Sequence, residues 1–150
     1  MRSNIQYDEE TALALSTWVK LARGYSSFNH RASEDVKKFG LSQAQYAILD
    51  ALGFLGSMKI GELHKKMIFS GGNMTLVLDQ LERKGFTKRI FHHEDRRAII
   101  IELTDKGNQA FRKVAVEHAV HIKSLMSALT KEEQKTLGSL LKKLGTTIAR

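Results

Sequence analysis

The 150-residue chain contains no cysteine and no proline. Without cysteine there can be no disulfide, no thiolate zinc site and no thiol redox sensor within the chain, a composition that fits a reducing cytosol. Without proline, the long stretches that read as helix run uninterrupted, so a mainly α protein is expected. No apolar run approaches the roughly 18 residues of a membrane span, and no secretory leader is visible. Acidic residues are also in deficit: 16 against 24 lysines and arginines, for a net charge of +8 and a pI near 9.8. That balance favours a polyanionic partner. Catalytic machinery is missing as well. There is no nucleophile–base constellation, no phosphate-cradling P-loop and no dinucleotide glycine fingerprint, so neither an enzyme nor a cofactor is expected.

What is present centres on residues 60–104. Ile60, Leu63 and Met67 recur at helical spacing, a break follows at Phe69-Ser70-Gly71-Gly72, and Met74, Val77, Leu78 and Leu81 start a second helical period. That run stops at Lys84-Gly85, a basic last turn followed by glycine. Two strand-like runs, Thr87 to His92 and Arg97 to Thr104, flank the polar tip HHEDRR. Helix, tight turn, helix and a basic-tipped hairpin make the layout of a winged helix-turn-helix. Such a module lays its second helix in the DNA major groove and its wing along the backbone or in the minor groove. Much of the positive charge lies inside it, at Lys65, Lys66, Arg83, Lys84, Lys88, Arg89, Arg96 and Arg97.

The flanks read as helices. From Asp8, a candidate N-cap, to about Phe39, apolar residues recur every three or four positions. A helix of that length would span about 48 Å, too long to pack fully on so small a domain, so its surplus apolar stripe calls for a second subunit. Gly24 interrupts the stretch at about 1 kcal/mol relative to alanine without ending it. Gly40 is a C-cap, Ser42 and Gln45 form a capping box, and Tyr46, Leu49 and Leu52 give the next helix its buried face. Gly53 to Ser57 reads as a glycine-rich turn. Ser70 can cap the second helix of the module, Thr104 a helix to about Leu129, and Thr130 with Glu133 the last one.

Together these residues resemble the MarR family of bacterial transcription regulators. The likeness lies in Leu41-Ser42-Gln43-Ala44-Gln45-Tyr46, Gly61-Glu62-Leu63, Asp79-Gln80-Leu81-Glu82-Arg83-Lys84-Gly85-Phe86, Glu94-Asp95-Arg96-Arg97 and Leu103-Thr104-Asp105-Lys106-Gly107. It covers nearly the whole chain as one domain, 1–150. The resemblance implies dimerisation helices at 8–39 and 104–150 around a DNA-binding lobe at 41–104. It also implies a homodimer on a palindromic operator, usually as a repressor, frequently released by a small aromatic ligand. The chain departs from the family pattern at Lys59, where a capping Thr or Ser is common, and at Gly71-Gly72, which replace a polar pair.

On this reading Asn73, Thr75 and Leu76 face base edges, with Gln80 one turn on. Asn can pair with adenine, and Thr or Leu can meet a thymine methyl. Gly71 and Gly72 would offer backbone N–H groups to a phosphate. The competing role for Asn73 and Thr75 is helix-start hydrogen bonding. The resemblance places Arg97 in the minor groove, oriented by Asp95 and beside Arg96; narrow A·T-rich grooves attract arginine. Lys65, Lys66, Lys88 and Arg89 are phosphate candidates. Trp18, Tyr25, Phe28 and Tyr46 are aromatic candidates for an effector pocket, against the blander reading of helical core. His118 and His121 share a helix face, but with no cysteine and a spacing of three they read as surface or dimer-contact histidines, not metal ligands. The alternative function is a nonspecific or architectural DNA binder using the same module.

Overall fold

Asp8 starts the first helix, its carboxylate accepting the Thr11 N–H at 2.8 Å and the Thr11 hydroxyl at 2.7 Å. The computed structural model describes residues 5–67, 73–91 and 99–148, and in it this helix, α1, runs Glu9–Ala32. The single helix expected to reach Phe39 is therefore two pieces, α1 and a one-turn α2 at Glu34–Lys37. Local hydrogen bonds mark the break. Ser33 opens to ψ −9° while its hydroxyl donates to the His30 carbonyl, and Asp35 turns its carboxylate onto the Val36 N–H. Such side-chain bonds to nearby backbone compete with the helix ladder, and the bend swings Asp35 and Val36 into the core. α1 alone spans about 36 Å.

Gly40, at φ 68°, ends α2, and the Ser42–Gln45 box forms as expected, with the two bonds at 3.1 and 3.2 Å. It opens α3, Gln43–Leu55. The turn expected from Gly53 begins only at Gly56. Gly53 has a packing role instead: a Cβ there would sit 2.4 Å from the Phe111 ring, so glycine lets α3 lie close against α6, Asp105–Met126.

A two-residue strand, β1 (Met58–Lys59), precedes α4 (Ile60–Lys66) and α5 (Met74–Arg83). The expected hairpin follows as β2 (Thr87–Phe91) and β3 (Ile99–Leu103), paired antiparallel from Thr87↔Leu103 to Phe91↔Ile99. β1 joins the far side of β3, Met58 opposite Ile101, giving the order β1-β3-β2. Two residues carry no readable period, so β1 had no sequence signal. α6 is capped by Thr104, and α7, Lys131–Ile148, by the Thr130–Glu133 box.

The core sits where α3, α4, α5, α6 and β3 meet, on Ile48, Leu49, Leu63, Leu78, Leu81, Ile101 and Val114. α1 and α7 contribute no buried residue.

Candidate nucleic-acid interface and ligand cavity

α5 is the helix expected to face the groove, and it begins later than Ser70 would have started it. Its N-cap is Asn73, whose side-chain oxygen accepts the Thr75 and Leu76 N–H groups at 3.1 and 3.4 Å. Bidentate pairing with adenine needs that same oxygen, so Asn73 cannot make it while it caps the helix. Thr75 and Leu76 are exposed, as a reading surface requires. Gln80 is turned the other way: its side-chain Oε1 accepts the Gln45 side-chain amide at 2.8 Å, at the junction with α3. Lys84 closes that junction, donating to the Gly40 carbonyl at 2.6 Å and to Gln45 Oε1 at 3.0 Å. α5 ends in a Schellman motif, with Phe86 N–H on the Leu81 carbonyl and Gly85, at φ 72°, just past the helix.

The two cations of β2 are paired within the lobe. Lys88 reaches Glu102 across the ladder at 2.6 Å, and that hydrogen bond holds its ammonium above the usual lysine pKa. Arg89 puts Nη2 on Asp79 at 2.6 Å and Nη1 on Glu82 at 2.5 Å. The Asp79 hydrogen bond leads in raising its pKa beyond the ordinary value. Both residues were expected at phosphates; the structure gives each a carboxylate first. Lys65 and Lys66, on the last turn of α4, are exposed, as is Arg83. Ser70, Gly71, Gly72, Asp95, Arg96 and Arg97 lie outside the described residues.

A second site lies between α1, α3 and α6, a cavity of about 510 Å³. Tyr25, Phe28 and Tyr46 line it; Trp18 does not. Trp18 stands two turns back along α1 with 63% of its surface exposed. The Tyr46 hydroxyl donates to Asp50 at 3.0 Å. Burial, then the Asp50 charge, push its pKa above the usual tyrosine value. His118 packs edge-on to Tyr46, with ring centroids 4.8 Å apart, and binds the buried Asp35 at 2.8 Å. His121 Nε2 meets the Arg31 carbonyl at 2.9 Å. Both histidines thus tie α6 to the bend after α1, and among the described residues no group of three or more His, Cys, Asp or Glu is placed to hold a metal. Lys66 and Met67, at the end of α4, also line the cavity.

The model of the MarR family matches residues 41–99. The uncharacterized HTH-type transcriptional regulator YkoM of Bacillus subtilis is 34% identical over 92% of this chain and 90% of its own length. The chain belongs to the MarR family. Another relative, the HTH-type transcriptional repressor MdtR of Bacillus subtilis, is 32% identical over 74% of this chain and 72% of its own. Among solved structures, a mutant of MarR from Escherichia coli, complexed with operator DNA, superposes with a TM-score of 0.75 at 22% identity, over 93% of this chain and 99% of that one.

The chain is thus a MarR-family transcriptional regulator. Of the expected contacts, the structure brings Thr75 and Leu76 to one exposed face and draws Gln80, Lys88 and Arg89 into the lobe's own polar ties. Sequence reasoning missed Asp35 and Gln45 as hubs. Gln45 was legible only as a capping residue, and Asp35 meets His118 across 83 positions of chain, beyond the reach of any local pattern.

Proposed function

We propose that the protein is a homodimeric repressor that binds an inverted-repeat operator and leaves it when a small aromatic molecule enters the cavity between α1, α3 and α6. The observation that carries the dimer is the unburied apolar surface of the two long arms. Leu15, Trp18 and Val19 of α1 and Leu137, Leu140, Leu141, Leu144 and Ile148 of α7 are all exposed in a single chain. Apolar surface of that extent left open on a lone subunit marks an interaction surface, and two-fold pairing of the same arms covers it. Two winged lobes then meet successive major grooves about 34 Å apart. In that complex Thr75 and Leu76 meet base edges, Gly71 and Gly72 offer N–H groups to a phosphate, Lys65, Lys66 and Arg83 lie near the backbone, and Arg97, held by Asp95 and beside Arg96, enters the minor groove. Occupying the operator would make the protein a repressor, the role that the name of the MdtR relative gives that protein.

Sedimentation at micromolar concentration should show a dimer, and selection from genomic DNA should return fragments sharing an inverted repeat. The operator should be preferred over scrambled duplex by about 10³-fold or more. Equal affinity for both would make the protein an architectural binder instead. A panel of phenols should release the operator complex and quench the cavity tyrosines; no release by any of them would remove the effector from the account.

A further inference from the structure

Arg89 holds more of the lobe together than a backbone contact would require. β2 is an edge strand of the sheet, so its outward N–H groups have no strand partner. Glu82 of α5 fills one of those places: its Oε1 accepts the Arg89 N–H at 3.2 Å while its Oε2 takes the guanidinium. Asp79, one turn earlier on α5, takes the other arm of the same fork. Three hydrogen bonds, two of them between full charges, thus join the groove-facing helix to the base of the wing. The guanidinium is three-quarters covered, with 23% of its side chain exposed. Asp79 and Glu82 are otherwise ill-suited to their place, since two carboxylates on a helix that meets a polyanion weaken binding by simple charge repulsion.

We propose that Arg89, Asp79 and Glu82 form a clamp that sets the angle between α5 and the β2–β3 wing, and that the clamp, not a phosphate contact, is their contribution to operator recognition. The inference rests on the DNA-binding reading above. Arg89 is a positioning residue on this account. Its planar fork bridges two carboxylates at once, a geometry that a lysine ammonium cannot reproduce. A helix and a wing that must enter two grooves together need that fixed angle; either one alone does not. Loosening the clamp should therefore harm specific binding while leaving nonspecific attraction intact.

The test compares the wild type with Arg89→Lys and Asp79→Asn in the full-length protein, measuring affinity for operator and scrambled duplex across a salt series, with thermal midpoints as a folding control. Arg89→Lys keeps the charge, so a phosphate contact would survive it and operator affinity would stay within about twofold. The clamp predicts a loss of about tenfold or more in operator affinity, with scrambled-DNA affinity and the salt slope unchanged. Asp79→Asn removes a negative charge beside DNA, so electrostatics alone predicts tighter binding to every duplex. The clamp predicts the opposite signs together: weaker for operator, equal or tighter for scrambled DNA. Variants that melt with the wild type and keep its operator preference would overturn the clamp alone. A wild type with no preference for any operator would overturn the functional reading and the clamp with it.

Discussion

Leu63, Leu78, Leu81 and Ile101 are wholly buried inside the winged lobe, whereas neither α1 nor α7 buries a single residue. The lobe also ties itself together with polar groups: Lys84 to the start of α3, Thr104 to the Gly85 carbonyl at 2.6 Å, and Lys106 to the Lys84 carbonyl at 2.6 Å. The arms have N-terminal caps at Asp8 and Thr130 and exposed one-turn ion pairs, which contribute little. One region thus carries the reasons for its shape within a single chain. The other has helix-forming sequence and an apolar stripe that the single chain leaves uncovered.

Charging the stripe tests that contrast most severely. In Leu140→Asp combined with Leu144→Asp, the protein should sediment as a single subunit while the lobe keeps its fold. Operator affinity should fall about 10²- to 10⁴-fold, because a half-site held without its twin loses the effective concentration of linkage. A dimer that persists at micromolar concentration would show that α7 faces solvent and that the partner surface lies elsewhere.

Glycine-to-alanine substitution should have opposite signs in the two regions. At Gly107, on the foot of α6, an added Cβ would lie 1.9 Å from the Phe86 carbonyl oxygen. Backbone cannot step aside as a flexible side chain can, so Gly107→Ala should lower stability by about 2–3 kcal/mol. At Gly24, midway along α1, nothing lies within 4 Å. There alanine should raise stability by up to about 1 kcal/mol through helix propensity alone. Chemical denaturation of both variants checks the pair, and a loss at Gly24 would mean that another surface packs against that side of α1.

The wing offers a smaller effect. Arg97→Ala should weaken operator binding by about tenfold and flatten its salt dependence by about one unit. An unchanged slope would take the wing arginine out of the complex, and with Arg89 and Lys88 already paired to carboxylates it would leave β2 without a phosphate contact.

How much of this was legible beforehand follows the same division. Asp8, Ser42, Thr104 and Thr130 cap their helices as their local spacing predicts, because a cap is a matter of three or four neighbouring residues. The hairpin and the stop at Gly85 were legible for the same reason. What failed needed distant partners. The helix through Phe39 breaks because Asp35 and Val36 face the core, and Asp35 there meets His118. Gly53 read as a turn residue, yet it sits inside a helix because Phe111 lies against it. Asn73 had two readings open, groove contact and helix cap, and the cap is formed. At the interface, residue type suggested that Lys88, Arg89 and Gln80 would reach outward. Charge on a strand does not reveal the carboxylates that a neighbouring helix will bring to it.

Tyr46 ties the two regions chemically, since it belongs to α3 of the lobe yet lines the cavity beneath α1. Its pKa is raised in the folded protein by burial and by Asp50, while the unfolded chain should titrate near the ordinary 10.0. Below that pH both states keep the proton and the hydroxyl's contribution to stability is fully present. As pH rises past it the unfolded chain releases a proton that the folded one retains, so the contribution is lost on the way up to the folded value. Denaturation midpoints measured from about pH 9 to pH 11 should therefore fall more steeply for the wild type than for Tyr46→Phe. At neutral pH the variant should be less stable by about 1 kcal/mol, for the lost hydrogen bond to Asp50. Parallel pH profiles would mean that the hydroxyl ionises as freely in the cavity as in water, and that the space around it is open to solvent, not closed enough to hold an aromatic guest.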